Sequence, residues 1–218
     1  MQNKMKKNVQ TIFRTSFENE LITSLELCHS WLGKVKVDPY QWKWAVIFFH
    51  NALQNLFIKE LNEDIGLILK PGVSEDLLQS ILTGAKMKKR WEMDYFLELF
   101  KKVGKVQRYT HSQAYSPTAV EVGCMKFLNH FRNKLIHLSD HATTEDVSLF
   151  PRIFLECILM AEFSLYRSGN MIWYEDGNEE RAKSLIKSIR TKLKRLEKFY
   201  GLKVKGIPKE IVDVMQKL

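Results

Sequence analysis

The chain has little of what builds disulfide-stapled, metal-clamped or membrane-embedded proteins. Cys28, Cys124 and Cys157 are odd in number and far apart, with no CxxC pair. Neither a disulfide framework nor a thiolate zinc site is suggested, and a reducing cytoplasm fits best. Five prolines and ten glycines leave few breaks in the chain and no linker-like stretch. Long apolar runs are missing too. Trp44 to Phe49 is short, and Ile153 to Tyr166 carries Glu156 and Glu162 and falls below the roughly 18–20 residues that span a bilayer. Lys4, Lys6 and Lys7 are followed by Arg14, Glu18 and Glu20 rather than by an apolar run, so no signal peptide is expected. There is no P-loop, GxSxG or GxGxxG sequence, which removes the commonest nucleotide-cradling and serine-hydrolase devices.

What the chain does have is positive charge. Thirty-four Lys and Arg against twenty-five Asp and Glu give +9 at neutral pH, within an otherwise ordinary 27% charged and 45% hydrophobic composition. That balance favours a polyanionic partner, nucleic acid first and an anionic membrane second. With 218 residues the chain is long enough for one well-buried core.

The hydrophobic periodicity is helical almost throughout, and no alternating strand of useful length occurs. Helices are predicted over about Thr15 to Leu32 and Gln41 to Leu61, separated by a break at Gly33 to Tyr40. Lys70-Pro71-Gly72 reads as a turn, with Ser74 capping a short helix to about Leu82. Further helices are predicted over Lys89 to Val103, with Trp91, Tyr95, Phe96, Leu99 and Phe100 inward, and over Thr118 to Leu138 after a Ser116-Pro117 start. Two more cover Pro151 to Arg167 and Asn178 to Tyr200, with Gly201 as a stop, and a short helix begins near Pro208. Short loops between long helices imply antiparallel neighbours, hence an all-α, up-and-down bundle. A composition shift near Asp176-Gly177 begins a stretch, Arg181 to Lys205, with ten basic residues and one acid, Glu197. The expectation is one domain, with a core over about 15–170 and a basic helical appendage over about 177–218.

The most informative stretch is Phe131-Arg132-Asn133-Lys134-Leu135-Ile136-His137. At about 100° per residue, Lys126, His130, Asn133 and His137 share one stripe of the helix, while Phe127, Leu128, Phe131, Leu135 and Leu138 form the opposite, core-facing one. Arg132 lies at the border. Arginine offers a fixed, always-charged fork for phosphate, and histidine moves protons near neutral pH. A polar stripe with His and Asn is equally what any exposed helix face can show. His137 and His141 are four apart with Asp140 and Glu145 nearby, but no HExxH frames them and the helix is expected to end near Leu138. Neither a metal nor a cofactor is expected.

The Arg-x4-His spacing, with a polar residue directly after the arginine and apolar residues interleaved, resembles the signature of the HEPN superfamily. The segment Trp42 to Gln54 is also similar to a helix in bacterial proteins that share a Phe-Arg-Asn-x-x-Ile-His segment. The resemblance implies a four- or five-helix bundle, a homodimer with two motif helices facing across the two-fold axis, and metal-independent RNA cleavage. Arg132, Asn133 and His137 would be the catalytic set. Lys126, His130, Lys134 and Asn51 near the cleft, and Lys187, Arg190 and Lys194 on the basic helix, would hold RNA, with Asn51 and Asn55 equally read as internal bundle contacts. In toxin members paired with nucleotidyltransferase antitoxins a tyrosine follows the histidine two residues on. Here Ser139 stands there, which argues against that subgroup and for a toxin-like, phage-defence or stress RNase, with an antitoxin or defence-system partner open. A non-catalytic module that binds RNA or protein through the same face is the alternative.

Overall fold

A computed structural model describes residues 15–61, 65–107, 109–137 and 146–201 of the chain. Ser16 begins helix α1 (Phe17–Leu32) by accepting the Asn19 amide at 3.1 Å, and Glu18 and Glu20 in the first turn suit the helix N-terminus. Helix α2 (Trp42–Leu61) follows a short 3-10 turn over Pro39–Gln41. Its stripe of Trp42, Val46, Phe49, Leu53, Leu56 and Phe57 is buried, as a central helix requires.

Side-chain contacts fix the directions of the other helices. Glu18 meets Lys59 while Trp31 packs near Trp44, so α1 and α2 are antiparallel. Trp42 meets Phe150 and Phe154 edge-on at 5.3 and 5.5 Å, and Phe49 stacks on Phe154, so α7 (Phe150–Tyr166) runs with α2. Phe131 packs on Phe150, and Tyr115 stacks on Phe163, so α6 (Ala119–His137) runs against α7. Helix α8 (Asn178–Phe199) runs against α7, through Arg190–Glu162 and Arg152–Glu197 pairs, and alongside α1, through Arg181–Glu26 and Ser188–His29 contacts. These five helices therefore alternate up, down, up, down, up, and the fold is an all-α bundle. Three shorter helices, α3 (Ile65–Ile68), α4 (Pro71–Thr83) and α5 (Phe96–Val103), are inserted between α2 and α6.

Some expectations are corrected. Pro71 is the first residue of α4 rather than part of a turn, a place proline suits because its missing N–H would be unpaired there anyway, and Ser74 lies inside the helix. The helix expected from Lys89 starts only at Phe96. Upstream of it the Asp76 carboxylate accepts the amides of Lys88 and Lys89 at 2.7 Å each, and an antiparallel bridge joins Leu69 to Met93. Trp91 and Tyr95 are consequently exposed rather than inward. The basic C-terminal helix is more than an appendage, since Ala182, Ile186, Ile189, Leu193 and Leu196 are buried against α1 and α7 and only its outer face is basic. Leu138 to Glu145 and the segment from Leu202, including the helix expected near Pro208, lie outside the described residues. No helix among the described residues is long and apolar enough to cross a membrane.

Candidate functional site

The motif helix is fixed at its start by a reciprocal cap. Thr118 Oγ1 accepts the Glu121 amide at 3.3 Å, and Glu121 Oε2 accepts the Thr118 amide at 2.6 Å. The same buried carboxylate accepts the Tyr115 hydroxyl. Thr118, two residues beyond the expected Ser116, is thus the capping residue. From there α6 buries Cys124, Met125, Leu128 and Phe131 and half-buries Phe127 and Leu135, the apolar stripe the spacing predicts.

The opposite stripe is open. His130, Asn133 and His137 are exposed and Lys126 and Lys134 half-buried, with His137 the last residue of the helix. Arg132 lies half-buried at the border. Its Nη1 donates to Asn133 Oδ1 at 3.0 Å, and its Nε is buried without a hydrogen-bond partner among the described residues. Burial lowers its pKa, yet an arginine so placed keeps its charge. The guanidinium is therefore a partly desolvated cation with one arm fixed by the neighbouring amide. Less surrounding water makes any anion reaching it bind more strongly.

Behind this pair is a residue that hydrophobic patterning alone does not single out. His50, on α2, is 2% exposed, and its Nε2 lies 3.1 Å from Asn129 Oδ1 on α6. With the amide oxygen facing it, Nε2 carries the proton and donates, leaving Nδ1 as the bare nitrogen. Nδ1 is buried without a hydrogen bond of good geometry, although the Asn51 amide stands close enough to favour the charged ring. Phe96 of α5 covers the ring at a centroid distance of 4.1 Å. Burial foremost, then the nearby Arg132 charge, outweighs the help of Asn129 and Asn51 and pulls the His50 pKa down to about 4. The imidazole is neutral at physiological pH. It ties α2, α5 and α6 together directly beneath the motif. One signal for it does stand in the sequence: His50 borders the buried stripe of α2, between Phe49 and Ala52, where a polar side chain needs a partner.

Asn51 is half-buried, and its carbonyl accepts the Asn55 side chain at 2.9 Å, an internal bundle contact. Lys59 does not line the cleft and instead pairs with Glu18. On the far side of α7, Lys187, Arg190 and Lys194 come together with Tyr166 and Arg167 around a surface concavity of about 670 Å³. Arg190 is held there by both oxygens of Glu162, at 2.5 and 2.7 Å. The predicted RNA-contacting residues thus form two groups, one on α6 and one on α8, with α7 packed between them.

No family model, no curated protein sequence and no solved structure matches the chain.

Proposed function

We propose that the protein is a metal-independent endoribonuclease of HEPN type, acting as a homodimer with the motif helices opposed. The ribose 2′-OH attacks the adjacent phosphorus, leaving a 2′,3′-cyclic phosphate and a 5′-hydroxyl. His137 transfers the proton. Arg132 stabilises the charge that develops on the phosphorane oxygens, and Asn133 positions Arg132. DNA is spared because it lacks the nucleophile. A toxin-like, phage-defence or stress role follows from the same resemblance. The observation that carries this reading is the Arg132–Asn133 pair, a partly desolvated guanidinium fixed on a rigid helix that ends at an exposed His137. The basic outer face of α8 supplies backbone contacts of the non-specific kind.

A second reading, a non-catalytic module that binds RNA or a partner protein, draws on the same pair. One arm of Arg132 is committed to Asn133 and its Nε is sunk near His50, an arrangement that also suits a purely structural anchor.

The test is incubation of purified wild type, His137→Ala and Arg132→Ala with a mixed RNA pool in EDTA, followed by end-group analysis. The nuclease reading expects cyclic phosphate ends from wild type, a loss of about 10²–10⁴ in rate for His137→Ala and about 10²–10³ for Arg132→Ala. Equal cleavage by all three, or none by wild type alongside retained RNA binding, sinks it, and the latter outcome selects the second reading.

A further inference from the structure

A cavity of about 580 Å³ opens between α5, the Ala114–Pro117 stretch and the first half of α6, and nothing in the proposed chemistry uses it. Its lining is chiefly carbon, from Leu97, Phe100, Pro117 and Val122. Three lysines stand around it, Lys101, Lys105 and Lys126, against the single carboxylate of Glu98, which Lys101 holds at 2.6 Å. Three cations less one anion leave the rim at +2. The volume falls within the roughly 300–1,000 Å³ typical of small-molecule sites, and an apolar lining with a few charged groups is their usual chemistry.

The walls are preformed. Tyr115 donates its amide to the Gly104 carbonyl at 2.9 Å, stacks on Phe163 and gives its hydroxyl to Glu121. The close approach depends on Gly104, where a Cβ would come within 2.6 Å of the Tyr115 carbonyl oxygen. The α5 wall is set by Phe100 and Val103, which are buried on the opposite side of that helix from Lys101 and Lys105. A neutral apolar ligand would leave the lysine rim unused, and a small inorganic anion would leave the carbon lining wet. A molecule with both parts uses the whole site.

We propose that this cavity binds a small amphipathic anion, an acyl or aryl body ending in one carboxylate. The apolar body lies against Leu97, Phe100 and Val122, and the carboxylate faces Lys105 and Lys126. The site is independent of the RNA-cleaving reading, since it needs neither Arg132 nor His137.

The test is calorimetric titration of the full chain with decanoate, 1-naphthoate, decanol and decylammonium. One saturable site per chain is expected for decanoate or 1-naphthoate, and the tighter of the two identifies the body as acyl or aryl. Decanol should bind about fivefold or more weakly, and decylammonium more weakly still, because each surface charge pair is worth up to about 1 kcal/mol. Ala114→Trp, which fills the mouth, should abolish binding, and Lys105→Glu should weaken it by about the same fivefold factor. Thermal melts confirm that each variant is folded, and if Ala114→Trp is not, Lys105→Glu decides. Equal affinity for decanoate, decanol and decylammonium overturns the proposal. So does unaltered binding in a folded variant, or no binding of either carboxylate up to millimolar concentration.

Discussion

An imidazole that titrates near pH 4 when folded, against an ordinary value of 6.5, links stability to pH in one direction. Between those values the unfolded chain takes up a proton at His50 and the folded chain does not. Stability is therefore complete above about pH 6.5, falls as the pH drops, and stops falling from this cause below about pH 4. The full difference is on the order of 3 kcal/mol. His50→Gln keeps a donor toward Asn129 without the titration. Denaturant unfolding at pH 7 and pH 4.5 should show a larger loss for wild type than for the variant, whereas equal losses would mean that the buried ring is not what responds. The contrast with the motif residues is instructive. Asn133 and His137 are legible because a regular helix fixes which side chains share a stripe, and Arg132 is legible as a border residue for the same reason. His50 is not, because its partners Asn129 and Phe96 are 79 and 46 residues away and only the packing of three helices brings them together.

Helices are readable wherever one apolar face runs without interruption. The α6 and α7 boundaries predicted from spacing lie within one residue of those observed. The stretch before α5 misleads because its pattern of Trp91, Tyr95 and Phe96 fits a helix while its hydrogen bonds go elsewhere, to Asp76 and to the backbone of Ile68 and Lys70. Such long-range partners leave no local signature. At this level two outcomes are expected. Thr118→Ala removes one half of the α6 cap and should cost about 1 kcal/mol, seen as a lower Tm, while Glu121→Ala should cost more because the carboxylate also holds Tyr115. On α8, Lys187→Glu with Lys194→Glu reverses charge on an exposed face and should leave the fold intact. If that face carries RNA, the slope of log affinity against log salt should fall by about 0.7 for each phosphate no longer neutralised. An unchanged slope would assign the charge to solubility alone.

The whole molecule is joined at a buried ion pair far from the motif. Lys59 and Glu18 have side chains 4% exposed each and meet at 2.6 Å, linking α2 to α1. Both also reach the segment that leads into α8. Lys59 donates to the Ile172 carbonyl and lies 4.6 Å from the Trp173 ring centroid, and Glu18 accepts the amides of Tyr174 and Glu175 and the side-chain amide of Asn178. Burial alone would raise the Glu18 pKa, but the bonds from Lys59, Asn178, Tyr174 and Glu175 together leave it lowered. The stability it contributes is thus present above its ordinary 4.5 and lost as the pH falls through the lowered folded value, a window that opens as that of His50 closes. The two partners are not equivalent. Lys59→Met leaves a carboxylate that still has three N–H donors. Glu18→Ala leaves a buried ammonium and strips those three donors at once. Breaking such a pair costs about 3–5 kcal/mol, so Lys59→Met should fall near the lower figure and Glu18→Ala near the upper. Urea unfolding of the two variants measures the order directly. The reverse ranking would mean that the strap from Ile172 to Asn178 hangs on the lysine and its aromatic contacts rather than on the carboxylate, and that α8 is held to α1 and α7 by its apolar stripe alone.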